Sequence, residues 1–535
     1  MLQKPDCHFM KYLFLFLLLS TSTVFAQLEK NVQVEVLGRP TWQMLIPLEE
    51  QGLILIVKTD VTKAAVFRFD KNLEKLWEKE VFLDAEDEPK AYTVANDRIS
   101  LLFSETSGMY YQVFQFNLTS GEVNQDGFEL REYFIDQDYV FLNDKVLMAG
   151  ANAKGAAFFE HNFNTEIGEL KEDSTILGSV SVNLFEYLPE RNQIESLWSV
   201  KQKGYSNEKK KKGEFIKDAF VTHAILDTTG TVLFKTEIKQ KGGKFPLDGK
   251  LVRLSNGKKV VLGTYQSSIG DKGVYVYNLS DRGDMKTYSF TSLLKGNRSL
   301  SVENIQEILK SYNFLSNKPL EGNGSIIFGG VFLKAQYQSI TEQDPYNSYN
   351  SPYGGGYGRS RYGSRYGYYN QRGNSTTRQV FRGYHYPTGF VMELTPEGDL
   401  ITSNRIDINN LSGQVQQALA YNERGAVSYC LKGDLAANNF NIGTKPLLYK
   451  LSEEEKGVKN MPYLPSYSEV QFWYGNYFIA EGSKSKMEAM SVNDNLVKTE
   501  TKKRRGLFGK KKKDTPASFT QIRKTIYLTK IASGG

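Results

Sequence analysis

The sequence predicts an all-β chain folded as an eight-bladed β-propeller, with seven blades as the alternative, closed by an N-terminal strand lying in the last blade. Three observations lead there. A pair of apolar strands recurs eight times, a polar turn follows most of the pairs, and the chain opens on a spare alternating strand while its last repeat is one strand short.

The first strands of the pairs are LILIVK (53–58), ISLLFSE (99–105), VLMAG (146–150), IESLWSV (194–200), VVLGTY (260–265), IIFGGVF (326–332), AVSYCLK (426–432) and YFIAEGS (477–483). Their partners are AVFRFD (65–70), YQVFQFN (111–117), AAFFEHN (156–162), VTHAILD (221–227), VYVYNL (274–279), FVMELT (390–395), PLLYKLS (446–452) and TIYLTK (525–530). Both sets are rich in Val, Ile, Phe and Tyr, and many alternate with the period of a half-buried strand. A further strand precedes each pair, as in TWQMLIP and EYFIDQDYV, so each unit reads as a four-stranded meander, A to D.

Polar turns such as FDKNLEKLW, LDTTGTVLF and LTPEGDLIT follow the partner strands. Asp and Asn bond nearby amides there, and Gly supplies positive φ. One meander cannot bury both faces, whereas eight packed radially can. With the leader and three long insertions set aside, about 52 residues remain per unit, near known blade periods. The last unit has no D strand of its own, and NVQVEV (31–36) is expected to supply it, covering an edge that would otherwise invite aggregation.

The turns FDKNLEKLWEKE, LDTTGTVLF and LTPEGDLIT resemble the C–D turns of quinoprotein-like, PQQ-type propellers, and Trp77 is the tryptophan such repeats favour. The resemblance is one of architecture and carries over no cofactor residues. Eight-bladed members of that group include scaffold proteins of the outer-membrane barrel-assembly machinery, so it is compatible with non-enzymatic work.

Met10-Lys11, the apolar run YLFLFLLL and the small-residue site ending at Ala26 read as a signal peptide cleaved after Ala26. A secreted or periplasmic protein is expected, with residues 27–535 forming one propeller and no transmembrane anchor after cleavage. Cys430 then remains as the one thiol, inside the alternating run AVSYCLK, and is expected to be buried and inert. SVENIQEILKSY (301–312) reads as an amphipathic helix between units five and six, with Val302, Ile305, Ile308 and Leu309 on one face and Ser301 as a cap.

Net charge is +7, but it is unevenly spread. Three insertions, 201–217, 338–382 and 483–514, carry +5, +4 and +7, which leaves −10 on the remainder of the mature chain. All three fall between strands B and C, in units four, six and eight, and therefore emerge on one face of a propeller. Structureless insertions within a compact fold are usually binding loops or disordered. They are expected to be disordered when unbound, because Lys runs repel. The expected binding residues are Lys209, Lys210, Lys211 and Lys212; Arg359, Arg361, Tyr362, Arg365 and Tyr366; and Lys502, Lys503, Arg504, Arg505, Lys510 and Lys511. Arg grips carboxylate or phosphate bidentately, and Tyr stacks on flat faces. The expected partner is an anionic polysaccharide, an envelope lipid or an acidic protein surface. Nucleic acid fits the compartment poorly.

Motifs for chemistry are sparse. No phosphate-binding glycine loop or nucleophile elbow is present. His161, His223 and His385 read as separate strand-surface or loop histidines, and no metal or cofactor is expected. Asp136 and Asp138 occupy alternate positions of a strand, where period two would turn both to one face. The leading expectation is a non-enzymatic binding propeller with a basic rim. The alternatives are a carbohydrate hydrolase or lyase with acids in the central channel, and a scaffold subunit of an envelope assembly.

Overall fold

The computed structural model describes residues 27–533 except 39, 87, 96, 106–107, 143, 207–212, 269, 281–284, 296–301, 344–374, 440–446, 450–465 and 491–518. Residues 1–26, read from the sequence as a signal peptide, therefore lie outside the described residues.

Eight antiparallel sheets form the blades of a propeller. Strands A to D are Gln43–Pro47, Leu53–Asp60, Lys63–Phe69 and Lys75–Phe82 in blade 1; Ala91–Ala95, Arg98–Ser104, Tyr110–Asn117 and Val123–Glu129 in blade 2; and Ile135–Leu142, Lys145–Ala151, Gly155–Asn162 and Ile167–Leu177 in blade 3. Blade 4 is Ser179–Leu188, Gln193–Ser206, Gly213–Asp227 and Val232–Ile238. In blade 5 the A position is split into Lys244–Pro246 and Lys250–Arg253, followed by Lys259–Ser267, Lys272–Asn278 and Lys286–Ser289. Blade 6 is likewise split, with Asn313–Ser316 and Leu320–Gly322 before Ser325–Gln343, Ser375–Leu394 and Leu400–Ser412. Blade 7 is Leu419–Tyr421, Ala426–Leu431, Asp434–Asn439 and Leu447–Tyr449. Blade 8 takes Ser466–Tyr474, Tyr477–Met490 and Phe519–Ala532, with Gln27–Gly38 as its outer strand.

The expected closure is present. Gln27–Gly38 runs antiparallel to Phe519–Ala532, with Val32 opposite Leu528 and Val36 opposite Lys524. Val34 and Val36 are buried against Ile526, Leu528 and blade 1 residues Leu45, Leu53 and Leu55. Similar apolar clusters fill the remaining seams. This double burial explains the near-continuous apolar B strands. In LILIV, Ile54 and Ile56 pack toward blade 2, while Leu53, Leu55 and Val57 pack toward blade 8.

The predicted helix is α2, Val302–Ser311, preceded by the short helix α1, Phe290–Lys295; both lie between blades 5 and 6. Ile305 and Ile308 are buried in that seam beside Phe290 and Phe332. Ser301, the expected cap, lies outside the described residues. Trp77 stacks on Phe116 of blade 2 at 6.0 Å between ring centroids and donates from Nε1 to the Leu118 carbonyl at 3.0 Å.

Blade 7 corrects one assignment. Its C strand is Asp434–Asn439, and the PLLYKLS segment instead supplies the D strand, Leu447–Tyr449. The cause is a tight hairpin at Lys432-Gly433, both at positive φ (51° and 86°), which turns the chain back at once.

Candidate functional site

The path A–B–C–D gives every blade the same polarity. A strand A begins, a B–C hairpin turns and the next blade-to-blade connection departs at one end, here called the ribbon face. The three basic insertions belong to B–C hairpins of blades 4, 6 and 8, so their bases share that face. The bases correct the expectation of structureless loops. Strand pairing continues to Ser206–Gly213 in blade 4, Gln343–Ser375 in blade 6 and Met490–Phe519 in blade 8. Backbone pairing satisfies the amides there, so each insertion starts as a two-stranded ribbon. From Leu333 to Gln343 the blade 6 ribbon extends roughly 30 Å at the usual rise per residue.

All the expected binding residues, from Lys209 to Lys212, Arg359 to Tyr366 and Lys502 to Lys511, lie outside the described residues. The ribbon bases add exposed Lys203, Lys217, Lys334 and Arg382. The blade 6 base also carries aromatic rings. Tyr337 is 61% exposed and Phe381 43% exposed, with 5.7 Å between their centroids, and Phe381 meets Tyr384 at 5.3 Å.

A cavity of about 750 Å³ opens on the same face. Trp42, Lys58 and Asp60 of blade 1, Glu86, Glu88 and Lys90 of the next connection, and Gln414 line it. Trp42 Nε1 donates to the Glu86 carbonyl at 2.8 Å, and the buried Lys58 ammonium bonds the Ala85 carbonyl. These bonds hold the connection between blades 1 and 2 against the blade 1 hairpin.

Two groups of acids on or beside the inner strands have shifted carboxyls. Asp136 and Asp138 do not share a face as expected, because a bulge at Gln137 breaks the period. Gln137 reaches blade 4, donating to Val180 O at 3.1 Å and accepting from Val182 N at 2.6 Å. Burial raises the Asp136 carboxyl, with Lys90 and Tyr111 opposing it. Asp138 is pushed up to about 7 by burial, against the pull of Lys250 and a backbone hydrogen bond at Phe185. One acid thus looks toward blade 2, the other toward blades 4 and 5.

The second group went unseen in the sequence. Glu469 and Glu481 are direct partners across the A–B hairpin of blade 8. Gln471 Nε2 donates to Glu469 Oε1 at 2.6 Å, and Gln43 of blade 1 donates to Glu481 Oε1. Burial and the neighbouring Glu481 raise the Glu469 carboxyl; burial raises Glu481 despite Gln43 and Lys524. A signal did exist: in YSEVQFWYGNYFIAEG the two acids stand at nearly equal distances from the Gly475-Asn476 turn.

The histidines differ from their expected surface placement. His223 is buried, with Nε2 2.6 Å from Glu195 Oε1. Lys259 approaches the same oxygen at 2.6 Å, and Arg253 contacts Oε2 at 2.6 and 2.9 Å. Burial alone would raise Glu195, but these hydrogen bonds overcome it and hold the carboxyl at about 2. This cluster pins blade 4 to blade 5 at the end opposite the ribbons. His161 is buried and stacks on Phe128 at 4.6 Å, and burial lowers its pKa. His385 is half-buried between Tyr312 and Asn409. Cys430 is buried in the core and burial pushes its thiol far up, as befits an inert side chain.

Among the described residues, no group of three or more His, Cys, Asp or Glu is arranged to hold a metal, and no helix is long and apolar enough to cross a membrane.

No family model matches the chain, and no curated protein matches it. Solved structures do. The Dos1 propeller is 13% identical with a TM-score of 0.32, over 54% of this chain and 65% of that one. Hydrazine synthase of Kuenenia stuttgartiensis is 8% identical with a TM-score of 0.32, over 54% and 75%. The cobalt-substituted apocarotenoid oxygenase of Synechocystis is 10% identical with a TM-score of 0.31, over 48% and 62%. The chain thus spans under two thirds of the oxygenase, and at these identities the likeness is one of fold.

Proposed function

We propose that this chain is a secreted or periplasmic, non-enzymatic β-propeller that binds an anionic cell-envelope partner through its ribbon face. The recognised groups are carboxylates or phosphates, carried by polysaccharide, lipid headgroup or acidic protein. One observation carries the reading: three insertions with a combined charge of +16 all grow from B–C hairpins, in blades 4, 6 and 8. Their bases are paired ribbons, which would hold the basic segments clear of an acidic body and limit the entropy lost on binding. Exposed Tyr337 and Phe381 offer flat apolar surface beside Arg382, suited to a sugar ring bearing a charge.

The test compares the mature chain with a variant in which 207–212, 344–374 and 491–518 are each replaced by a short Gly-Ser turn. Both are presented with polyuronate, anionic vesicles, an acidic protein and neutral dextran at low and high salt. Salt-sensitive retention on an anionic matrix, lost on deletion, is expected. Equal, salt-insensitive retention by both proteins would refute the proposal.

A further inference from the structure

Blade 8 meets blade 1 at the ring's closing seam. Most of that seam is apolar: Trp473, Ile479, Ile526 and Leu528 pack on Leu45, Leu53 and Leu55. Toward the ribbon face the same side of the sheet turns polar. Glu469 and Glu481 stand directly opposite one another, and directly opposite residues of antiparallel strands project to one face. Glu481 has no solvent exposure and Gln43 has 5%.

Two like charges side by side in a buried seam repel, and their burial is expensive unless something compensates. The amides of Gln43 and Gln471 each supply one N–H. Those bonds leave two oxygens, Glu481 Oε2 and Gln43 Oε1, buried and without a hydrogen-bond partner among the described residues. Both are strong acceptors, and Gln43 is held against Glu481 by its own amide. Lys524 offsets part of the charge at Glu481, whereas Glu88, which lines the cavity on the ribbon face, adds to the negative field at Glu469.

From this geometry we infer that the Glu469–Glu481 pair, with the carbonyl oxygen of Gln43, is a binding site for one hard divalent cation, which ties the last blade to the first. The donor set is oxygen only, two carboxylates and an amide, with water left to complete the shell; that suits calcium or magnesium and not a soft metal. The cavity lined by Trp42 and Glu88 opens near this end of the seam, where Glu88 is close enough to add to the field at Glu469. The ion would stabilise the seam whatever the ribbons bind, so this inference and the proposed function fail separately.

The experiment is equilibrium dialysis of the chelator-treated mature chain against calcium, and separately against magnesium, at pH 8, followed by elemental analysis. Glu481→Gln and Glu469→Gln are run in parallel. Both are isosteric and remove buried charge, so folding should survive, and circular dichroism checks it. The wild type should retain one ion per chain more than either variant, and calcium or magnesium should raise its unfolding midpoint but not theirs. Equal ion content in wild type and folded variants would overturn the inference. So would a wild-type midpoint indifferent to both cations but raised by acid alone, since the pair would then be sharing a proton.

Discussion

Val34, near the start of the described chain, lies opposite Ile526 near its end. Both side chains are buried in the seam between blades 8 and 1. The ring is thus held shut by a strand from one terminus pairing with a strand from the other. Ile526→Ala should cost about 2–5 kcal/mol, the usual range for emptying a buried isoleucine site. Val34→Asp should cost more, because it buries a charge, and should also promote aggregation by freeing the edge of Phe519–Ala532. Chemical denaturation and light scattering check both. Unfolding midpoints unchanged from the wild type would mean the N-terminal strand is not part of the closure.

The two seam acids set a pH dependence. Glu469 and Glu481 are raised above their ordinary values, so the folded chain holds protons that the unfolded chain releases. Stability from this source is present in acid and is lost as pH rises through neutrality. Facing groups are Gln43, Gln471, Lys524, Tyr92 and Glu88. In chelator, the thermal midpoint should fall between pH 5.5 and 8.5, and Glu481→Gln should flatten that slope. An unchanged slope in the variant would place the proton uptake elsewhere.

Glu195 has the opposite sign. Its depressed carboxyl stabilises the fold above its unfolded pKa, and that contribution is lost as pH falls from about 4.5 toward 2. Glu195→Ala would strip the partly exposed Arg253 and Lys259 of their shared buried partner, although Arg253 keeps Glu186, and should destabilise by roughly 1–3 kcal/mol at neutral pH. Denaturation at pH 7 and pH 3 should show the difference between mutant and wild type shrinking in acid. A mutant with wild-type stability at pH 7 would contradict this role for the cluster.

Cys430 should resist a thiol reagent in the native protein and react fully once denatured, because its sulfur is buried and its thiolate strongly disfavoured. Rapid labelling under native conditions would show that blade 7 opens.

The blades were legible because they bury both faces of their central strands, which writes runs such as LILIV and VVLGTY plainly into the chain. The closing strand was legible because the count of strands left one edge bare. Blade 7 was misread where Lys432 takes a positive φ, a conformation that its residue type does not announce. Asp136 and Asp138 were expected on one face because a bulge at Gln137 has no local signature; it is set by bonds to blade 4. The Glu195 cluster draws on His223, Arg253 and Lys259 from three further strands, so only the packing of blades 4 and 5 assembles it. The charge imbalance, by contrast, needs no folding to be seen, and the topology supplies the shared face.

If three basic ribbons on one face act together, a long anionic chain should bind far more tightly than a short one of the same chemistry, because later contacts become intramolecular. The most direct measurement is the affinity of residues 27–535 for polyuronates of graded length, at low and physiological salt. The account predicts an affinity that climbs steeply with length, weakens with salt and loses its length dependence when two of the three insertions are removed. Affinity independent of length and salt, or a length dependence that survives those deletions, would contradict it.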